Sequence, residues 1–113
     1  MESMYANYVP IMKALSDETR LKIIDILSCG QMCACDILEL VNISQSTLSY
    51  HMKILTDSRI VIGIKDGSWM RYSINLDIVD ELKNFINEIF TNKADCICNS
   101  IIHSSECKEN VNE

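Results

Sequence analysis

A chain of 113 residues, 48% hydrophobic and 23% charged, with no Pro/Gly-rich or low-complexity stretch, has the composition of one soluble domain with a single core, which excludes a disordered or fibrous chain. Glu2 stands where a secretory leader has basic residues, and residues 1–10 hold no long apolar run, so no signal peptide or membrane span is expected and the chain is assigned to the cytoplasm. The net charge of −6 is a poor overall balance for binding a polyanion, and six cysteines in a reducing compartment point to metal binding or redox sensing in place of a disulfide framework.

Tyr5, Tyr8, Met12 and Leu15 fall on one helical stripe, so the spacing predicts a first helix that kinks or restarts at Pro10. Ser16 is the expected N-cap of a second helix. Asp17 and Glu18 place negative charge in its first turn, and Leu21, Ile24 and Leu27 carry an apolar face as far as Cys29-Gly30. After Cys33-Ala34-Cys35-Asp36, the residues Ile37, Leu38 and Val41 make a short third helix that stops near Asn42. Ser44 then caps a helix from Gln45 to Leu55, with Ile43 and Leu48 forming a hydrophobic staple. That helix is expected to bury Leu48, Met52 and Leu55. Its other face and first turns offer Gln45, Ser46, Thr47, Ser49, Tyr50 and Lys53, a mixture of hydrogen-bonding groups and a cation that suits base edges and phosphates in a major groove. A solvated surface face is the plainer reading of the same residues.

Ile60, Val61, Ile62 and Ile64 form a β-branched run, Asp66-Gly67 is a hairpin turn signal, and Trp69 to Ile74 read as the return strand. A short helix, a turn, a polar-faced helix and a hairpin give the order of a winged helix-turn-helix: mainly α with a small β-hairpin wing. Lys65 and Arg71 on the wing are placed to reach flanking phosphates, or else serve as solubilising charge. Charge distribution favours the first role. Residues 46–72 hold Lys53, Arg59, Lys65 and Arg71 against Asp57 and Asp66, a balance of +2, whereas three bases face six acids in residues 1–45 and three face eight in residues 73–113. So small a basic patch calls for a dimer and for salt-sensitive binding.

The closing helix, about Leu76 to Phe90, carries Val79, Leu82, Ile86 and Ile89 at coiled-coil spacing, widened by Ile78, Phe85 and Phe90. A core this small does not need so broad a stripe. It is expected to pack with the first helix of a second copy, and two-fold symmetry then sets two recognition helices one turn of DNA apart; burial within one chain is the alternative. The chain accordingly divides into a DNA-binding and dimerisation domain, residues 1–92, and a cysteine-containing tail, residues 93–113.

Three stretches together resemble the arsenic-repressor (ArsR/SmtB) family of metal-sensing winged-helix repressors: Ala14-Leu15-Ser16-Asp17-Glu18-Thr19-Arg20-Leu21-Lys22-Ile23-Ile24, Cys33-Ala34-Cys35-Asp36-Ile37, and Ser44 through Leu55. The resemblance covers roughly Ile11 to Phe90. It implies a homodimer that sits on a palindromic operator when empty and leaves it when an inducer binds. Thiolates select soft ions, and Cys33 with Cys35 plus a third sulfur suits trigonal As(III) or Sb(III), while four sulfurs suit Cd(II), Pb(II) or Zn(II). Arsenic sensors of the family place a third cysteine three residues after the pair, where this chain has Leu38. The missing donor is Cys29, Cys96, Cys98 or Cys107, or the inducer is methylarsenite, which needs two thiolates only. The tail cysteines resemble C-terminal arsenic sites elsewhere in the family, with incidental thiols as the alternative.

Cadmium and lead sensors of the family draw further cysteines from an N-terminal extension, and none precedes Cys29. Its zinc and nickel sensors use His and carboxylates on the last helix, whereas the histidines here are His51 and His103. His51 is read as a DNA-proximal or packing residue, not a ligand, because its helical neighbours supply no metal partner. Side chains at i and i+2 diverge by about 200° on a helix, so gripping one ion with Cys33 and Cys35 is expected to unwind or restrict the start of the third helix. A thiol redox or persulfide sensor on the same fold is the rival reading. An enzyme is not expected, since no Ser/His/Asp set, glycine-rich phosphate loop or paired catalytic carboxylates can be assembled from these residues.

Overall fold

The computed structural model describes residues 2–91, with side chains from residue 4. Its elements in order are α1 (Glu2–Leu15), α2 (Glu18–Leu27), β1 (Met32–Cys33), α3 (Ala34–Leu40), α4 (Gln45–Asp57), β2 (Val61–Asp66), β3 (Trp69–Ile74) and α5 (Leu76–Phe90). One compact unit runs Met1–Leu82, and a second begins at Lys83, within α5.

Pro10 does not end α1, which continues as one helix from Glu2 to Leu15 with the proline inside it. Proline removes the hydrogen bond to the carbonyl of Ala6, but both residues are exposed, so water replaces the lost donor. The buried side of α1 is also not the expected stripe: Ile11 and Ala14 are buried, while Tyr5 and Met12 are exposed. Asp17, not Ser16, caps α2, its carboxylate accepting the Arg20 N–H at 3.1 Å. Ser16 instead closes α1 by donating its hydroxyl to the Lys13 carbonyl at 2.7 Å. On α2 the buried pair is Ile23 and Leu27, four residues apart, and Leu21 lies exposed.

The wing is larger than a hairpin. Strands pair antiparallel in the order β1-β3-β2, with Met32 opposite Tyr72, Cys33 opposite Arg71, and Val61 to Asp66 opposite Ile74 to Trp69. The hairpin turns at Gly67-Ser68, where Gly67 has φ +64°, a left-handed value that glycine adopts without steric cost. Gly63 leaves room for another group: a Cβ there would sit 3.0 Å from the Tyr72 ring across the ladder, tighter than an ordinary contact.

Ile23, Ile37, Met52, Leu55 and Val61 are the most deeply buried large side chains, one or two from each of α2, α3, α4 and β2. Helix α4 packs on α1, α2 and β2, and α3 packs on β3. Each such side chain stabilises by about 1.5–3 kcal/mol, which holds α4 against three neighbouring elements. Its start is fixed by Ser44, whose Oγ accepts the Thr47 N–H at 3.1 Å. Ser44→Ala is expected to cost about 1 kcal/mol, read as a lower midpoint in thermal unfolding. On α5, Ile78, Leu82 and Phe85 are buried, but Leu76 and Ile89 are exposed and Phe90 is 82% exposed.

Candidate nucleic-acid interface and thiol site

Cys33 ends β1 and serves as N-cap of α3 with extended backbone (φ −82°, ψ 161°), while Cys35 occupies the first turn of the helix. This corrects the expectation that the pair diverges on a regular helix. Because Cys33 lies outside α3, its side chain folds back over the first turn, and the two residues are joined as a disulfide with Cα atoms 5.4 Å apart. No unwinding is needed to bring the sulfurs together. Cys33 is 9% exposed and Cys35 half-buried. Exposed Asp36 completes a group whose potential ligand atoms all lie within 4.8 Å of one another. Asp36 was not singled out from sequence, although its place directly after Cys35 was the available signal.

In reduced form this group offers two sulfurs and a carboxylate oxygen at one edge of the sheet, a donor set that takes soft, thiophilic ions. Of the further candidates, Cys29 is exposed in the α2–β1 connection and is not in the group. Leu38, at the place of the missing third cysteine, is half-buried on α3. Cys96, Cys98, Cys107 and His103 lie outside the described residues.

Helices α3 and α4 are joined by the turn at residues 41–44, and Gln45, Ser46, Thr47, Ser49, Tyr50 and Lys53 are all exposed on α4. Tyr50 is 62% exposed. The Ser44 hydroxyl also reaches Thr47 Oγ1 at 2.9 Å and Ser46 Oγ at 3.2 Å, so the helix start is knit by its own hydroxyls. Lys53 Nζ lies 3.2 Å from Asp57 Oδ2 one turn on, an exposed pair that DNA phosphates can displace at little cost. On the wing, Lys65 is exposed, whereas half-buried Arg71 donates from Nε to Asp66 Oδ2 at 3.0 Å.

Of the two roles the sequence leaves open for His51, DNA-proximal or packing, its position fits packing, since it is turned inward. It is 8% exposed, on the same side of α4 as Leu48, Met52 and Leu55. Its Nδ1 lies 2.9 Å from Nη1 of Arg20 and 4.0 Å from Oδ2 of Asp17. Arginine has donors only, so Nδ1 is the acceptor. The Arg20 backbone N–H bonded to Asp17 holds that carboxyl below the ordinary aspartate range; partial burial opposes this shift, and the Arg20 guanidinium reinforces it. Sequence reasoning placed Asp17 in the first turn of α2 but did not find its link to Arg20 and His51.

Among the described residues no helix is long and apolar enough to cross a membrane. Residues 17–62, which span α2 through the start of β2, match the family model described as "Bacterial regulatory protein, arsR family". The chain is 44% identical over 103 residues to an "Arsenical resistance operon repressor" from Staphylococcus aureus, covering 91% of this chain and 98% of that one. It is 38% identical over 85 residues to "Transcriptional repressor SdpR" from Bacillus subtilis, covering 75% and 93%. In fold it is similar to an "ArsR-like Transcriptional Regulator from Rhodococcus sp. RHA1", with TM-score 0.71 at 24% identity over 79% of this chain and 82% of that chain. A helix-turn-helix with a polar outer face, a β wing and these relatives leave one assignment: the chain belongs to the arsR family of bacterial regulatory proteins, as a winged-helix transcription regulator and not an enzyme.

Proposed function

We propose that the chain is a metalloid-responsive repressor: a homodimer that binds operator DNA through α4 and the wing, and leaves it when trivalent arsenic or antimony, inorganic or methylated, binds Cys33 and Cys35. The observation that carries this reading is the position of the two cysteines. Cys33 is paired in the sheet with Arg71 of the wing, and Cys35 opens the first helix of the helix-turn-helix. An ion held by both sulfurs restrains the β1–α3 junction, and both DNA-facing elements are attached to that junction. The coupling required is small, since about 1–3 kcal/mol weakens binding by about 5- to 150-fold. The arsenical resistance repressors among the relatives support the choice of inducer. Exposed Met4, Val9 and Met12 on α1 and, separately, exposed Ile89 and Phe90 at the end of α5 support the dimer, since large apolar side chains left in water favour a partner's surface.

Binding of arsenite to the two thiols forms two As–S bonds and releases two waters, leaving the third position to hydroxide or to another sulfur. Methylarsenite fills that position with carbon. The Cys33–Cys35 disulfide favours a second reading, a redox sensor. There peroxide takes two electrons and two protons from the dithiol and becomes two waters.

Titrating one fluorescent operator fragment and reduced protein with As(III), methylarsenite, Sb(III), Cd(II), Zn(II) and peroxide separates these readings. Release by As(III), Sb(III) and methylarsenite at the lowest concentrations is expected. Release by peroxide with arsenicals inert assigns the redox role, and release by Cd(II) alone a divalent-metal role. The same titration on protein ending at Asn92 locates the third donor. If a tail cysteine supplies it, the As(III) response is lost and the methylarsenite response kept; a full As(III) response points to Cys29.

A further inference from the structure

We infer that Arg20 and His51, with Asp17 behind them, form a clasp that sets the angle at which α4 presents its outer face to DNA, so that both are positioning residues for operator recognition; this rests on the DNA-binding reading above. The Arg20 guanidinium joins three helices. Its Nε donates to the Ala14 carbonyl at the end of α1 at 2.7 Å, and its Nη1 donates to His51 Nδ1 in the middle of α4 at 2.9 Å. Its own backbone N–H is held by Asp17 Oδ2 at the start of α2. The planar guanidinium has a fixed donor geometry, so it constrains direction as well as distance.

The neighbours of His51 explain why direction matters. Leu48, Met52 and Leu55 seat α4 by apolar burial, which is strong but non-directional and does not by itself define the roll of the helix. A roll of about 10° carries a group about 5–6 Å from the helix axis by about 1 Å. A base-edge hydrogen bond near 2.9 Å does not survive that displacement. The Arg20–His51 bond resists such a roll from the buried side. It also reaches the outer face directly, because the exposed Tyr50 ring meets the His51 ring edge-on, with centroids 5.2 Å apart at 62°. A buried polar link of this kind adds little stability over an apolar residue of the same size. Its contribution is a defined orientation.

The test uses a duplex enriched from a random-sequence library by the full-length wild-type protein, and a shuffled duplex of the same composition. His51→Leu and Arg20→Met are each expected to weaken binding to the enriched duplex about tenfold, the effect of misplacing one base-edge contact. Binding to the shuffled duplex, set by phosphate contacts, should stay unchanged. The double variant should lose no more than the weaker single one, and His51→Asn, which returns an acceptor near the place of Nδ1, should recover most of the loss. Wild-type affinity in both single variants overturns the inference. Equal weakening on both duplexes also overturns it, since that is the mark of a general structural role, as does His51→Asn no better than His51→Leu. Failure of the wild-type protein to enrich any duplex overturns the DNA-binding reading itself.

Discussion

Cys33→Ser is expected to bind operator DNA with wild-type affinity and to need at least about a hundredfold more As(III) for release. The fold tolerates the change because Cys33 is the N-cap of α3 and makes no side-chain cap hydrogen bond. Serine is a preferred N-cap, so its hydroxyl accepts a free N–H of the first turn and the buried polar atom is satisfied. What is lost is one of two As–S bonds and with it chelation. A lone Cys35 has no second thiolate held at millimolar effective concentration beside it, and a hundredfold weaker site corresponds to about 2.7 kcal/mol. A mobility-shift titration of arsenite against fixed protein and DNA reads the effect. Release at the wild-type concentration would place the sensing sulfurs elsewhere, among Cys96, Cys98 and Cys107. Cys35→Ser should behave alike, except that residue 35 lies inside the helix and gains no cap.

The parts of the fold that depend on near neighbours were legible in the sequence. Ser44 as cap and Leu48, Met52 and Leu55 as the buried side of α4 follow from a capping residue and a 3.6-residue period, both local signals. The β2–β3 hairpin follows from its turn residues. Strand β1 does not, because two residues carry no period and become a strand only by pairing with Tyr72 and Arg71, far along the chain. The geometry of the thiol pair is hidden for the same reason: the end of β1 at Cys33 puts that residue outside α3, and no local pattern marks this boundary. For His51 the sequence leaves a DNA-proximal and a packing role open, and burial favours packing, because residues 48, 51, 52 and 55 share one helical face. Its partner Arg20 is 31 positions away, a separation at which no pattern in a single sequence reports a contact. The exposed Leu21 and Met12 show the limit of stripes as evidence, since several apolar residues on α1 and α2 leave more than one face available for burial.

Replacing Ser46, Thr47 and Tyr50 together with Ala is expected to remove specific operator binding, by at least about a hundredfold, while the protein keeps its fold and its solution mass. All three side chains are exposed at the start of α4, where a recognition helix meets base edges. A good base contact is worth about 1–3 kcal/mol, so losing two or three of them spans the expected range even when their effects do not add. The helix itself should survive. Alanine is the best helix former, and the Ser44 cap is kept because its acceptor bond goes to the backbone N–H of residue 47, not to its side chain. The Thr47 hydroxyl contact to Ser44 is lost, but it is exposed and weakly held. Binding to shuffled DNA at low salt should remain, since Lys53, Lys65 and Arg71 are untouched and supply the sequence-independent attraction. Mobility shifts on enriched and shuffled duplexes, with sedimentation to confirm the mass, read both parts. If affinity for the enriched duplex is unchanged, α4 is not the reading helix, and the polar face that distinguishes it is only a solvated surface.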